Sequence, residues 1–154
     1  MPVEIERKFL VASDSWRTSA GAGIPIAQGY LSVSGPFAVR VRRMGDAGFL
    51  TMKSNESGVR RLEFEYPIPA ADAETMLSQL GADGLRLEKT RYLLRHEGHE
   101  WSVDVFGAAL AGLVLAEIEL ADPDEAFAKP DWLGAEVTHD LRYRNAALAE
   151  HGLP

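Results

Sequence analysis

The chain has 154 residues, 46% of them hydrophobic and 25% charged, which suits one globular domain with a real core. Its net charge of −7 and pI near 5.1 exclude a strongly basic nucleic-acid-binding surface, though not a local basic cavity. It has no cysteine, which excludes disulfides and thiolate metal sites and fits a reducing compartment. The sequence opens on charged residues without the basic-then-apolar pattern of a secretory signal. No run approaches the roughly 18 apolar residues of a membrane span. The expectation is a cytoplasmic protein with neither membrane nor nucleic-acid partner.

In chain order, alternation and β-branched or aromatic content predict strands over 3–11, 25–32, 37–43, 48–53, 60–69, 85–96, 100–106 and 113–120. Turn chemistry joins them at Ser34-Gly35-Pro36, Gly45-Asp46, Asn55-Glu56-Ser57-Gly58 and Glu97-Gly98. A helix is expected over 70–80, after Pro69 and stopped by Gly81, and a second over 138–151, stopped by Gly152. A shorter helix is read over 122–128, opened by Asp122-Pro123. No repeat, linker or low-complexity tract divides the chain, so residues 1–154 are expected to form one domain. Eight mainly antiparallel strands in so short a chain suggest a closed barrel or a sandwich.

The charged residues help to choose. Residues i, i+2 and i+4 of a strand share a face. Glu4, Glu6 and Lys8 therefore project together, with Ile5 and Phe9 opposed. The same device recurs as Arg40 and Arg42, Thr51 and Lys53, Glu63 and Glu65, Lys89 and Arg91, Ser102 and Asp104, and Glu117 and Glu119. A solvated sheet face ordinarily mixes neutral and charged polar residues; these positions are nearly all ionised and mostly sorted by sign within a strand. Like charges so placed repel, which calls for something of opposite sign between them.

If they line one cavity, seven acids face six bases, one net negative charge. Two divalent ions would turn this to about +3, and a triphosphate of about four to five negative charges would nearly neutralise it. Buried charge persists only when compensated. All-oxygen donors favour Mg²⁺ or Mn²⁺, then Ca²⁺, over Zn²⁺ or Cu²⁺. Arginine grips phosphate oxygens in pairs and lysine acts as a point charge. No phosphate-binding Gly-x-x-x-x-Gly-Lys loop is present, and no histidine pair has helical metal spacing. His96 and His99 read as hairpin-tip residues, and Trp16, Trp101 and Trp132 as packing anchors.

Glu4-Ile5-Glu6-Arg7-Lys8, Val39-Arg40-Val41-Arg42, Thr51-Met52-Lys53, Arg61-Leu62-Glu63-Phe64-Glu65, Glu88-Lys89-Thr90-Arg91-Tyr92, Val103-Asp104-Val105-Phe106 and Ala116-Glu117-Ile118-Glu119-Leu120, in this order, resemble the CYTH family, the triphosphate tunnel metalloenzymes. The resemblance spans essentially the whole chain. It implies a mainly β (α+β) fold, an eight-stranded antiparallel β-barrel tunnel with a charged interior and flanking helices. It implies metal-dependent hydrolysis of inorganic tripolyphosphate to pyrophosphate and phosphate, with two divalent ions, Mg²⁺ or Mn²⁺. One would orient the triphosphate and the other activate water. Alternatives are a thiamine triphosphatase, a class IV-type adenylate cyclase, or a non-catalytic polyphosphate- or nucleotide-binding module.

Carried over residue by residue, Glu4, Glu6, Asp104, Glu117 and Glu119 look like metal ligands. Lys8, Arg40, Arg42, Lys53, Lys89 and Arg91 look like phosphate ligands, and Glu63 and Glu65 supporting acids. Lys89 is a candidate general base as well as a phosphate ligand, since Arg91 on its face disfavours its protonated form. Tyr30 resembles a tyrosine that assists this lysine; it reads equally as a barrel-wall aromatic. Arg142 and Tyr143 fall on the last helix, which by analogy would block one tunnel mouth. The substrate partner is a small-molecule triphosphate, and the chain could act as a monomer or homodimer.

Overall fold

The computed structural model describes residues 2–80 and 84–154. Gly81, the expected stop of the first helix, lies outside the described residues. The elements are β1 (Val3–Val11), β2 (Ile24–Ser32), β3 (Phe37–Met44), β4 (Ala47–Ser54), β5 (Arg60–Ile68), α1 (Ala70–Gln79), β6 (Arg86–His96), β7 (His99–Phe106), β8 (Val114–Glu119), β9 (Leu133–Glu136) and α2 (Asn145–His151). No helix among the described residues is long and apolar enough to cross a membrane.

The pairing runs β5-β4-β3-β2-β6-β7-β8-β1 with every pair antiparallel, and β1 pairs back onto β5, so eight strands close into a barrel. At the closing seam Val3 faces Leu62 and Ile5 faces Arg60. Farther along β1, β9 takes over the same edge, so Phe9 lies between Ala116 of β8 and Glu136 of β9. The sequence reading contained no β9. Its four residues show no useful alternation; the strand exists because β1 offers an unpaired edge, bonded through Ala12 N–H to Trp132 O and Val137 N–H to Lys8 O, each 2.8 Å.

Two helices differ from expectation. Segment 122–128 is not helical. Asp122 Oδ1 accepts from Asp124 N–H at 2.8 Å and Glu125 Oε1 from Ala121 N–H at 2.7 Å, so side chains take the backbone donors a helix would need. Segment 138–151 divides into a 3₁₀ turn, Leu141–Tyr143, and α2. Asp140 accepts from Arg142 N–H at 3.1 Å, Thr138 Oγ1 accepts from Lys8 N–H at 3.0 Å, and Arg144 is extended, which breaks the helical ladder.

The barrel is inverted relative to a soluble sandwich: its largest apolar cluster lies outside the wall. Ile5, Phe9, Leu94, Trp101, Val103 and Ile118 alternate with the charged positions and face outward, beneath Trp16 and Trp132 from the flanking loops. Trp101 is fully buried and meets Phe9, Phe127 and Trp132 edge-on at 5.7, 5.8 and 5.7 Å. On the far side α1 seats Ala73 and Leu77 on Val41 of β3. Helix and sheet approach closely there: a Cβ on Gly48 would lie 3.1 Å from the Ala73 Cβ of α1. A third cluster, Leu87, Phe106, Leu110 and Leu115 with Leu148 of α2, stoppers one end of the barrel with apolar side chains.

Candidate active site

The barrel encloses a cavity of about 310 Å³, the small end of the range for small-molecule sites. Strand periodicity delivers the residues to it. β1 contributes Glu4, Glu6 and Lys8; β3 contributes Arg40 and Arg42; β4 contributes Lys53; β5 contributes Glu63 and Glu65; β6 contributes Lys89 and Arg91; β8 contributes Glu117 and Glu119; and Tyr30 of β2 joins them. Asp104 is not on the cavity surface; it lies behind Lys89 and Arg91.

The acids and bases interlock. Lys53 donates to Glu4 Oε1 at 3.0 Å and pairs with Glu63 at 3.2 Å. Arg40 reaches Glu65 at 3.5 Å, and Thr51 Oγ1 donates to the same oxygen at 3.1 Å. Glu63 and Glu65 thus hold one base each. Lys8 lies 3.5 Å from Glu117 and donates to the Tyr143 carbonyl at 3.0 Å. Asp104 takes two bonds from Arg91, at 2.8 and 2.9 Å, and lies 2.8 Å from Lys89 Nζ.

Sequence reasoning missed several residues. Arg61, Glu100, Arg144 and Asn145 also line the cavity. Asn145 Oδ1 accepts from Lys89 Nζ at 2.8 Å and from Gln28 Nε2 at 3.3 Å. The fully buried Gln28 donates to the Tyr30 hydroxyl at 3.1 Å and accepts from Arg42 Nε at 3.0 Å. Tyr30 is therefore tied to Lys89 through Gln28 and Asn145; among the described residues no direct hydrogen bond joins them. Gln28 was legible as the i−2 neighbour of Tyr30, and Arg61 and Glu100 as the i−2 neighbours of Glu63 and Ser102. Asn145 carried no such signal.

One mouth is stoppered by α2, with Asn145 aimed inward and Leu148 in the apolar plug. Arg142 and Tyr143 are not on this helix. The Arg142 side chain is exposed and paired with Asp140 at 2.7 Å, and Tyr143 contributes its carbonyl to Lys8.

The field follows from these contacts. Burial presses the Lys89 pKa below its usual value, and Arg91 and Arg42 press further against the opposing pull of Asp104. Burial alone would raise Asp104, but the charges and hydrogen bonds of Lys89 and Arg91 hold it well below the usual carboxylate range. Burial, then Arg40 and Arg91, depress Arg42. Burial opposes the charge on Lys53, yet Glu6 and Glu4 outweigh it and raise its pKa. Burial raises Glu119, and repulsion from Glu4, Glu63 and Glu6 adds to it.

Among the described residues no three Asp, Glu or His side chains converge as a ready ligand set; Glu4, Glu117 and Asp104 each face a cationic side chain instead. The donor chemistry nevertheless fits a hard divalent cation. Four mutually repelling carboxylates, Glu4, Glu6, Glu63 and Glu119, share one region. Glu4 Oε2 is buried and accepts no hydrogen bond, although Lys53 Nζ is 2.9 Å away. Oxygen-only donors of this kind suit Mg²⁺ or Mn²⁺.

Comparison with known proteins agrees with this geometry. The chain is 44% identical over 151 residues to an inorganic triphosphatase of Acetivibrio thermocellus, covering 98% of this chain and 96% of that protein. It is 40% identical over 150 residues to an inorganic triphosphatase of Nitrosomonas europaea, covering 95% and 96%. A solved crystal structure of an inorganic triphosphatase superposes with a TM-score of 0.68 at 39% identity, covering 95% of this chain and 93% of that one. The pattern described as the CYTH domain matches residues 2–153, and the chain belongs to the CYTH family.

Proposed function

We propose that this chain is a metal-dependent triphosphatase that hydrolyses inorganic tripolyphosphate to pyrophosphate and orthophosphate. The observation that carries the reading is a small cavity, stoppered at one mouth, in which Lys8, Arg40, Arg42, Lys53, Lys89 and Arg91 surround one space beside a cluster of carboxylates. Such a site is too charged for an apolar ligand and built for a compact polyanion. The activity carried by the names of the relatives at 40% and 44% identity supports the same substrate.

Glu4, Glu6, Glu117 and Glu119 would hold Mg²⁺ or Mn²⁺. Bound there, divalent ions supply charge neutralisation and a more acidic water. The arginines and lysines pre-position the chain of phosphates and offset charge on the transferring phosphoryl group. Lys89 is assigned as general base: its neutral form is favoured by burial and by Arg91 and Arg42, and Nζ takes the proton of the attacking water. The bridging P–O bond breaks and pyrophosphate leaves with the electron pair. Asp104 is assigned to positioning, since its two oxygens fix Arg91 and Lys89. Gln28 and Asn145 fix the Tyr30 hydroxyl and Lys89 from the opposite side.

The test is phosphate release from tripolyphosphate, ATP and thiamine triphosphate with Mg²⁺, Mn²⁺ or EDTA, beside Glu4→Gln/Glu6→Gln. Metal-dependent release, fastest from tripolyphosphate and absent in the double variant, is expected. No release from any substrate, or ATP consumed to cyclic AMP, would overturn the reading.

A further inference from the structure

Two arginines at the cavity rim stand apart from the interlocked pairs within. Arg61 shares the inward face of β5 with Glu63 and Glu65, and Arg144 lies between the 3₁₀ turn and α2. Both line the main cavity, and both line a recess of about 20 Å³ beside it, where Gly58 and Thr138 mark the change from β5 to β9 along the edge of β1. A space of this size is on the order of one water molecule or one oxygen.

The interior cations Lys8, Arg40, Lys53, Lys89 and Arg91 each have a carboxylate within 4.0 Å. Among the described residues that line the cavity, Arg42, Arg61 and Arg144 have none; Arg42 lies inside the barrel and donates Nε to Gln28 Oε1 at 3.0 Å, whereas Arg61 and Arg144 stand at the rim. Glu6 and Asp140 also border the recess, but Glu6 lies within 4.0 Å of neither arginine and Arg142 occupies both Asp140 oxygens, at 3.0 and 2.7 Å. The rim arginines are instead held by neutral acceptors at the end of β4 and on the β4–β5 connection. Arg61 Nε donates to the Ser54 carbonyl at 3.0 Å, and the Arg144 guanidinium donates to the Glu56 carbonyl.

These bonds orient the two groups without discharging them. A guanidinium has five N–H donors, and the side-chain contacts of each arginine use one. Arg144 also feels Arg61 directly: after burial, that neighbour is the main influence lowering its pKa, against a weaker pull from Glu6. Two partly buried guanidiniums brought together, aimed at one recess and left unneutralised, are unfavourable until an anion lies between them. Tetrahedral phosphate oxygens match the donor fork.

We propose that Arg61 and Arg144 form a phosphate clamp at the rim of the cavity, additional to the six interior cations. It binds one phosphoryl group, either the outermost phosphate of the bound chain or the released orthophosphate. The proposal rests on the triphosphatase reading for the identity of that group, but the clamp can be tested without turnover.

The experiment is calorimetric titration of the intact protein with tripolyphosphate and separately with orthophosphate, in EDTA and low salt. The variants are Arg61→Gln/Arg144→Gln, Arg144→Gln alone in case the double variant fails to fold, and Arg60→Gln as a control. Arg60 is exposed on the other face of β5 and should leave both affinities unchanged. A fall of fivefold or more for tripolyphosphate places the outermost phosphate in the clamp. A comparable fall for orthophosphate alone places the product there. Smaller falls for both ligands in a folded variant, or an equal fall in Arg60→Gln, would overturn the proposal. Wild-type hydrolysis is scored separately: binding that depends on the clamp without hydrolysis would sink the triphosphatase reading and leave the clamp standing, and hydrolysis with unchanged affinities would do the reverse.

Discussion

Replacing Asp104 by Asn tests whether this carboxylate holds the bases or waits for a metal. Its side chain is 2% exposed, and Lys89 beside it is 1% exposed. The substitution keeps the shape but removes the charge that faces Lys89 and Arg91. Breaking a buried ion pair from one side costs about 3–5 kcal/mol, because the partner charge stays buried. Lysine has one escape, which is to lose its proton. The depressed pKa of Lys89 makes that escape cheap near pH 7, so the cost falls on Arg91, whose guanidinium stays charged.

For a chain of this length each kcal/mol moves the melting midpoint by about 2–4 °C, giving a fall of roughly 6–20 °C. The assay is thermal unfolding followed by circular dichroism at pH 7 in EDTA. Removing an unpaired acid from a repelling cluster would instead leave the metal-free midpoint unchanged or raise it. A midpoint within 2 °C of wild type, or above it, would refute the buried triad and return Asp104 to the metal ligands.

Glu119→Gln is expected to act in the opposite direction. A carboxyl whose pKa is raised in the folded state loses stability as pH rises from its unfolded value through its folded one. The variant should therefore melt higher than wild type at pH 7 without metal, and the gap should close at low pH, where both are neutral. It should also show a smaller rise in midpoint on adding Mg²⁺; the same assay with and without metal checks both points. Lys89→Arg keeps a cation for the substrate but removes a titratable base. Its kcat should fall about 10²–10⁴-fold with little change in KM. Wild-type kcat should fall as pH drops through the depressed Lys89 pKa, an acidic limb that the variant loses. An unchanged limb would assign the base elsewhere.

The eight barrel strands were legible because each alternates with period two, and the ionised face stands out against Ile5, Phe9, Val41 and Ile118. β2 began one residue from its predicted start. The inward lining was legible for the same reason; Arg61 escaped because it breaks the sorting by sign ahead of Glu63 and Glu65, and Glu100 because it opens its predicted strand. What failed was set by partners remote in sequence. β9 is a strand because β1 has an edge to fill. Segment 138–151 has helical apolar spacing, but Thr138 and Asp140 hydrogen-bond elsewhere and confine the helix to its last seven residues. Asn145 meets Lys89 across 56 residues, a contact no local pattern could announce.

The position of β1 has a consequence for how the protein is made. β1 precedes all its partners in the chain and pairs with β5, with β8 and finally with β9, whose last residue is Glu136, while Lys8 and Lys89 donate to the Tyr143 carbonyl and to Asn145 Oδ1. Glu4 can meet Lys53 and Arg61 once β5 is made, but Glu6 and Lys8 must wait for Glu119 and Glu117 of β8. Pairing so distant in sequence is slow to form. No nascent fragment short of β8, which carries Glu117 and Glu119, can hold the charged lining of the barrel, so a chain cut before β8 would not be a weaker enzyme but one without a site.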